Sequence, residues 1–256
     1  MAIAYRSRTE IEGIRRAART VMEILALLRD AVHAGVTTGE LDALARAELA
    51  RRGATSNFAG YTPIKGVPPF PGVICASVNE EVVHGIPGPR VLAQGDIVAL
   101  DFGAVLDGWH GDSAITVAVG QVAPAVDRLL AVTQEALRRG IAAAQPGKRV
   151  FDISRAIQSY VEGEGCSLVR GYGGHGIGRS LHEDPSVPNV VEPGQPNPLL
   201  RPGMVICIEP MVSTGRPRVR ERDDRWTVVT ADGSPAAHFE YMVAITADGP
   251  EVLTHL

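Results

Sequence analysis

Apolar residues recur three or four positions apart near the start of the chain and predict an amphipathic helix. Thr9-Glu-Ile-Glu12 has the pattern of a capping box, with Glu12 at the third helical position, and Gly35 follows the helix as a stop. The stripe consists of Ile11, Ile14, Ala18, Val21, Leu25, Leu28 and Val32. A second helix is predicted from about residue 39 to residue 52, because one side of it carries Leu41, Leu44, Ala45 and Leu49.

The same arrangement returns 112 residues further along the chain, since Gly35 corresponds to Gly147 and Gly53 to Gly165. In both copies the two glycines lie 18 residues apart and bracket a helix of the same apolar phase. The matching apolar positions are Leu25 with Leu137, Leu41 with Ile153, Ala45 with Ile157, and Leu49 with Val161. This register predicts two helix-pair units in one pseudo-symmetric domain. Two unrelated amphipathic helix pairs are the alternative.

Short apolar or alternating segments follow each helix pair and predict strands. The Pro- and Gly-rich stretches 61–72 and 192–203 are predicted loops. Strands behind paired helices indicate an α+β fold, a mainly antiparallel sheet covered by two helix pairs. No linker is evident, so we expect one domain over 1–256, with halves at about 9–120 and 121–246. The predicted strands are 73–78, 97–105, 115–119, 204–208, 226–230 and 239–246.

Composition excludes several classes of function. Hydrophobic residues make up 45% and charged residues 21% of the chain, and the net charge of −4 is not gathered into blocks. This gives no electrostatic basis for binding nucleic acid or an anionic membrane. No apolar run approaches the ~20 residues that span a bilayer, and the first residues do not resemble a signal peptide. The three cysteines are typical of a reducing cytoplasm.

Two aspartates flank a predicted hairpin turn. Asp101 lies inside an apolar strand, Asp112 opens the next strand, and Asp107-Gly108 lies between them. A hairpin folded at that turn brings the two carboxylates together, where like charges repel and burial without a partner is costly. A divalent cation would compensate. The alternative is that Asp112 is a surface turn residue and that Asp101 pairs with a buried arginine.

A glycine-rich segment surrounds one histidine. His175 lies among five glycines of the exposed loop predicted over 171–178, and His182 follows seven residues later. Glycines let other groups approach the backbone closely, which a histidine that merely fills a core does not require. The segment lacks the lysine and the spacing of phosphate-binding loops. A structural histidine is the alternative for each of the two residues.

Glu209 and Glu240 are single carboxylates within predicted apolar strands. Each could belong to a buried ion pair. Together with Asp101, Asp112 and His175 they form a set of four carboxylates and one imidazole. That set suits two divalent ions with bridging carboxylates better than one structural zinc. Two such ions support hydrolysis, and no serine or cysteine nucleophile motif is present.

At these residues the chain resembles the type I methionine aminopeptidases, over nearly its whole length. The resemblance implies the pita-bread fold and removal of the N-terminal methionine from nascent polypeptides by water that a dinuclear metal centre activates. Asp101, Asp112, His175, Glu209 and Glu240 match the family's metal ligands, and the ions would be Co, Mn, Fe, Zn or Ni. The segments that carry the resemblance are 75–87, 100–103, 108–113, 174–178, 208–212 and 239–241.

The resemblance also implies roles for individual side chains. His84 would contact the substrate backbone, His182 would stabilise the tetrahedral oxyanion, and Glu209 would be ligand and proton shuttle. It further implies that the protein acts on methionyl peptides near the ribosome, as a monomer. The methionine pocket would be formed by Tyr61, Phe70, Cys75, Leu181 and Trp226.

Only 26 residues separate His182 from Glu209, too few for the insertion of type II enzymes, and the chain resembles the short bacterial form. It departs from the family in the long loop 61–70, which contains Pro63, Pro68 and Pro69, and in Leu181, where an aromatic residue is frequent. The rival hypotheses are a proline-specific peptidase, which usually carries an additional N-terminal domain, and a binding protein that has lost catalysis and should have lost ligands.

Overall fold

A computed structural model of the chain describes residues 2–62 and 66–255. It confirms the two predicted helix pairs: α1 (Arg8–Ala31) with α2 (Thr38–Arg51), and α3 (Pro124–Ala143) with α4 (Val150–Gly163). None of the described helices is long and apolar enough to cross a membrane. The predicted loop 61–70 is described except for residues 63–65, so Pro63 lies outside the described part.

The start of α1 differs from the prediction. The helix is capped by Ser7 and not by Thr9: the Glu10 amide donates to Ser7 Oγ at 3.3 Å, and the Glu10 carboxylate accepts from the Ser7 amide at 2.8 Å. Ser7 and Thr9 are each followed three residues later by a glutamate. With Ser7 as the cap, the helix begins two residues earlier, which adds about half a turn. It thereby satisfies amides that would otherwise lack a partner at the helix start.

The strands form four sheets in which every pairing among the described residues is antiparallel, as predicted for the α+β class. The first half contributes β1 (Thr55–Ser56), β2 (Ile74–Val78), β3 (Glu81–Val83), β4 (Ile97–Leu106) and β5 (Trp109–Ala118). The second half contributes β6 (Ser167–Leu168), β7 (Gly173–Gly176), β8 (Glu183–Pro188), β9 (Val205–Ile208), β10 (Met211–Ser213), β11 (Val219–Glu221), β12 (Val228–Thr230), β13 (Ala236–His238), β14 (Tyr241–Thr246) and β15 (Gly249–Val252).

The two largest sheets position the site. One has the order β1-β4-β2 with β5 also paired to β4, and the other has the order β15-β14-β9-β7-β8. A bridge between Ala114 and Glu240 connects the two sheets. Helix α1 packs against β4 and β5, while α3 and α4 pack against each other and against strands of the second half. The helices therefore cover the sheets from outside and leave their inner faces for the site.

The internal repeat is visible in the second helix of each pair. Helices α2 and α4 both have 14 residues and begin 112 positions apart. The predicted pairs of apolar residues are all buried in one core, and the glycines Gly35, Gly53, Gly147 and Gly165 all have positive φ. Glycine adopts this conformation without steric cost, so the same residue type ends the same element in both copies.

Candidate metal and substrate site

A cavity of about 490 Å³ lies between the two halves and contains every residue that the sequence singled out. Carboxylates and imidazoles line its floor, and aromatic and aliphatic side chains line one wall. The predicted residues in its lining are Tyr61, Phe70, Cys75, His84, Asp101, Asp112, His175, Leu181, His182, Glu209, Trp226 and Glu240.

The first two carboxylates come from the β4–β5 hairpin. Its turn is Asp107-Gly108, with φ of 52° and 71°. The register pairs Asp101 with Ala114 and Gly103 with Asp112, so the two aspartates lie on one face of the hairpin, two positions apart. Asp112 is only 4% exposed, so it is not a surface turn residue. No arginine within the described residues forms a salt bridge with Asp101.

The two glutamates lie at breaks between strands and not inside strands as predicted. Glu209 lies between β9 and β10. The side-chain amide of Asn189 donates to the backbone carbonyl of Glu209 at 2.9 Å. Glu240 lies between β13 and β14, where its backbone amide donates to the Ala114 carbonyl at 2.9 Å. This bridge pairs Glu240 with Ala114, which lies two residues after Asp112 in β5. A break in the ladder turns each carboxylate toward the cavity and away from the core.

His175 reaches the carboxylates from β7, a strand and not the exposed loop that the sequence predicted. Its glycine neighbours permit the position: a Cβ on Gly174 would lie 2.1 Å from the Cys207 carbonyl oxygen. The ring Nδ1 donates to the Gly176 carbonyl at 2.9 Å, which leaves a lone pair on Nε2. Nε2 faces Asp112 Oδ2 at 3.9 Å and Glu209 Oε1 at 3.7 Å.

Desolvation dominates the electrostatics of this cluster. Burial raises the pKa of Asp101 to about 7, and burial with repulsion from Asp101 raises the pKa of Glu209 to about 8. Burial and the neighbouring carboxylates also raise the pKa of Asp112 and of Glu240 well above the usual range. Burial lowers the pKa of His175 to about 3, so the imidazole is neutral.

The donors fit a divalent metal centre. Asp101 Oδ1, Asp112 Oδ1 and Glu240 Oε1 are buried without a hydrogen-bond partner among the described residues. Such oxygens are costly unless something pairs with them. The bare Nε2 of His175 faces the same space, and a histidine whose other nitrogen donates to a carbonyl is the usual arrangement of a metal ligand. Asp112, His175, Cys207 and Glu240 each offer an atom within 4.8 Å of the others.

The wall of the cavity next to this cluster is apolar. The ring of Phe70 contacts Phe58 and Trp226 edge-on, with centroids 6.5 and 5.1 Å away. The Trp226 indole donates to the Pro68 carbonyl at 2.9 Å, which anchors the ring to the loop 61–70. Cys75 and Leu181 are buried in the same hydrophobic cluster. This apolar part of the cavity, the pocket, therefore offers an aromatic and aliphatic surface to a substrate side chain.

Two further histidines border the pocket and the carboxylates. The Nδ1 atom of His182 forms a hydrogen bond of 2.9 Å with the Tyr61 hydroxyl. The centroid of its ring lies 4.4 Å from the centroid of the His175 ring. His84 has a φ of 59°, a strained conformation for a residue other than glycine. Its ring lies between Tyr172 and Trp226. Burial lowers the pKa of both histidines, that of His84 to about 4.

Among the cavity residues that the sequence did not indicate, three have a place next to the donors or the apolar wall. His238 and Phe58 line the cavity, and Cys207 lies in the donor cluster. His238 precedes Glu240 by two positions and Cys207 precedes Glu209 by two, a strand periodicity that could have indicated them. Burial, followed by the nearby carboxylates of Glu240, Asp112 and Glu209, raises the pKa of the Cys207 thiol.

Oxygen-rich donors of this kind beside a substrate-sized pocket define a metal-dependent hydrolase. The chain belongs to metallopeptidase family M24, whose family model matches residues 12–247. The enzyme is therefore a metallopeptidase, and the family uses divalent metal.

Within this family, the chain is similar over its full length to methionine aminopeptidases. The chain is 49% identical to a methionine aminopeptidase of Aquifex aeolicus, covering 100% of both chains. It is 47% identical to methionine aminopeptidase 1 of Bacillus subtilis, covering 96% of this chain and 97% of that one. A crystal structure of methionine aminopeptidase from Thermotoga maritima superimposes with a TM-score of 0.94 at 41% identity, covering 100% of both chains. These likenesses confirm the resemblance and the pita-bread fold that it implied.

The raised carboxyl pKa values predict how the metal-free protein responds to pH. A folded state with raised carboxyl pKa binds more protons than the unfolded chain, so its stability is lost as pH rises through the folded pKa values. The histidines of the unfolded chain lose their protons near pH 6.5, so they oppose this trend only at the lower end of the interval. With Asp101 near 7 and Glu209 near 8, we expect the melting temperature of the chelated protein to fall by about 5 °C or more between about pH 6.5 and about pH 8.5.

Circular dichroism melts of chelated and Co²⁺-loaded protein, each at both pH values, measure this effect. The chelated protein should remain folded and inactive, because the helices and most of the core do not touch the cluster. The loaded protein should show little change in melting temperature, since bound cations hold the carboxylates ionised. A chelated protein whose melting temperature rises or stays constant over this interval would contradict the assigned electrostatics.

Proposed function

We propose that this protein is a methionyl aminopeptidase that removes the N-terminal methionine from nascent polypeptides. The observation that carries the proposal is the position of the donor cluster, which shares one cavity with this apolar pocket. A peptide whose first side chain fills that pocket presents its first peptide bond to the cluster. The identity with methionine aminopeptidases over the whole chain supports the same substrate.

Two divalent ions would be held by Asp101, Asp112, His175, Glu209 and Glu240. Four carboxylates exceed the charge that one ion neutralises, and the two sheets supply them from both sides of the cavity. When bound, the ions would supply Lewis acidity toward the scissile carbonyl and a water of lowered pKa. Co, Mn, Fe, Zn and Ni all accept such donors.

Glu209 carries the proton in this mechanism. One oxygen of its carboxylate, Oε1, faces His175 in the donor cluster. The second oxygen, Oε2, is directed away from His175. As general base Glu209 takes a proton from the attacking water while the water oxygen bonds to the carbonyl carbon. As general acid it then gives that proton to the leaving nitrogen when the C–N bond breaks.

His182 stabilises the negative charge that develops on the carbonyl oxygen. Burial raises the pKa of Tyr61, so its hydroxyl keeps its proton and donates to His182 Nδ1. The neutral imidazole then carries its hydrogen on Nε2, which is free to donate to the oxyanion. His84, at the other border of the pocket, contacts the substrate backbone.

The apolar wall gives preference for methionine. Tyr61, Phe70, Cys75, Leu181 and Trp226 form this wall, with Phe58 behind Phe70. A flexible thioether side chain fills such a pocket well and makes favourable sulfur–aromatic contacts. Leu181 occupies less width than an aromatic residue would, and Pro68 holds Trp226 in the wall by accepting a hydrogen bond from its indole.

The setting of the enzyme is part of the proposal. Residues 1–256 form one catalytic domain of two halves, since the donors come from both halves and neither half holds them all. All three cysteines are free thiols, which supports action in the reducing cytoplasm. There a monomer would meet methionyl chains close to the ribosome.

Substrate selectivity of the reconstituted enzyme tests the proposal. The stripped protein is supplied with each metal in turn and offered Met-Ala-Ser, Met-Lys-Ser, Ala-Ala-Ser and Ala-Pro-Ser. We expect methionine release from Met-Ala-Ser, with kcat/KM lower by about 100-fold or more for Ala-Ala-Ser because the pocket stays unfilled. Asp101→Asn is the matched inactive control. Faster cleavage of Ala-Pro-Ser than of Met-Ala-Ser would show a proline-specific peptidase instead.

A further inference from the structure

His238 is an ionisable side chain with no assigned task in the site. It ends β13, is 1% exposed, and lines the cavity between the two halves. Neither of its ring nitrogens has a hydrogen-bond partner among the described residues. A buried imidazole without partners is costly, and a purely apolar residue would fill the same space at no such cost. The ring therefore requires a partner that becomes available in the working enzyme.

The backbone of His238 is held firmly. Its amide donates to Thr116 Oγ1 at 2.9 Å, and its carbonyl accepts from the same hydroxyl at 2.7 Å. Its Cα pairs with Met211 across β10, two residues beyond Glu209. One residue of the first half and one strand of the second half thus fix the ring on the side of Glu209.

The two oxygens of Glu209 face two different imidazoles. Oε1 lies 3.7 Å from His175 Nε2, and Oε2 lies 3.7 Å from His238 Nε2. Both separations exceed a hydrogen bond. His175 and Glu209 would both hold metal, so no direct bond between them is required. His238 is different, because no other side chain among the described residues partners Oε2 and the carboxylate can turn toward the ring.

We propose that His238 is a positioning residue for Glu209, and that its Nε2–H donates a hydrogen bond to Oε2 of the ionised carboxylate. An ionised carboxylate only accepts, and a neutral imidazole has one N–H to give. The bond fixes the plane of the carboxylate and leaves Oε1 on the side of His175, where it would hold metal. This inference rests on the proposed function, since it concerns the same proton shuttle.

The substitutions His238→Leu and His238→Gln form a matched pair. Leucine has a similar size without a donor, whereas glutamine keeps an N–H donor of comparable reach. We expect His238→Leu to lower kcat by about 10–100-fold with KM changed by less than about 3-fold, as for other residues that orient a metal ligand. Glutamine should restore kcat to within about 5-fold of the wild type. Circular dichroism melts verify folding, and titration with Co²⁺ counts the ions bound to each variant.

The Co²⁺ count is expected to be the same in wild type, His238→Leu and His238→Gln. Loss of one bound ion in both variants would make His238 a metal ligand and overturn the proposal. A raised KM with unchanged kcat would make it a substrate contact and overturn it as well, and so would a kcat of His238→Gln as low as that of His238→Leu. If the wild type itself releases no methionine, the proposed function fails. An active wild type with an equally active His238→Leu refutes only the role of His238.

Discussion

Glu209→Gln is expected to lower kcat by about 10²–10⁴-fold while the protein still binds metal and a methionyl peptide. Glutamine keeps the length of the side chain and one oxygen donor, but it cannot take a proton from water or deliver one to the leaving nitrogen. Burial and repulsion from Asp101 raise the pKa of Glu209 to about 8, so the proposed shuttle depends on cations that keep the carboxylate ionised.

Metal content and steady-state kinetics on the purified variant measure this effect. Asp42→Asn is a suitable control, because Asp42 accepts hydrogen bonds from the amides of Val73 and Ile74 outside the cavity. That variant should lose some stability and keep kcat. Near-normal turnover of Glu209→Gln would remove Glu209 from the mechanism. Turnover lost only together with all metal would leave Glu209 as a ligand without a proton role.

The second large effect distinguishes two histidines whose rings lie 4.4 Å apart. His182→Ala is expected to keep the metals and to lower kcat by about 10²-fold or more, as when a donor to an oxyanion is removed. His175→Ala is expected to lower metal occupancy as well as rate, because its Nε2 faces Asp112 and Glu209. Kinetics at saturating peptide and Co²⁺ titration of each variant provide the comparison.

Tyr61→Phe provides a graded control for His182. It removes the hydroxyl that bonds to His182 Nδ1 and keeps the ring, so kcat should fall less than in His182→Ala while metal binding is unchanged. If His182→Ala lost metal and His175→Ala did not, the two roles would be reversed. Equal metal loss in both variants would contradict the division of roles altogether.

The helices and the chemistry of the site follow from local sequence. The spacing of apolar residues predicted the four helices. In the second helix of each pair it also predicted which side faces the core, as the burial of Leu41 and Ile153 shows. The donors were identifiable because a carboxylate in an apolar strand is unexpected without a partner. Asp101 and Asp112 could even be placed relative to each other, since one turn at Asp107-Gly108 sets their register.

What the sequence did not reveal depends on contacts between distant segments. The alternation of a strand does not say where its ladder breaks, so Glu209 and Glu240 were predicted inside strands and lie between them. The predicted exposed loop at His175 is a strand, because its glycines let β7 approach β9, 30 residues away in sequence.

Local pattern determined which residues carry the chemistry, and tertiary structure decided which atoms face one another. Hydrophobic periodicity and unpaired polar residues are properties of neighbours in sequence, so they indicated the helices and the five proposed donors, while the resemblance of short motifs indicated the family. The position of His238 beside Glu209 Oε2 depends on the pairing of β13 with β10 and on Thr116 from the other half. The strand pairing joins Met211 to His238 and the contact with Thr116 spans 122 residues, and no local pattern specifies either of them.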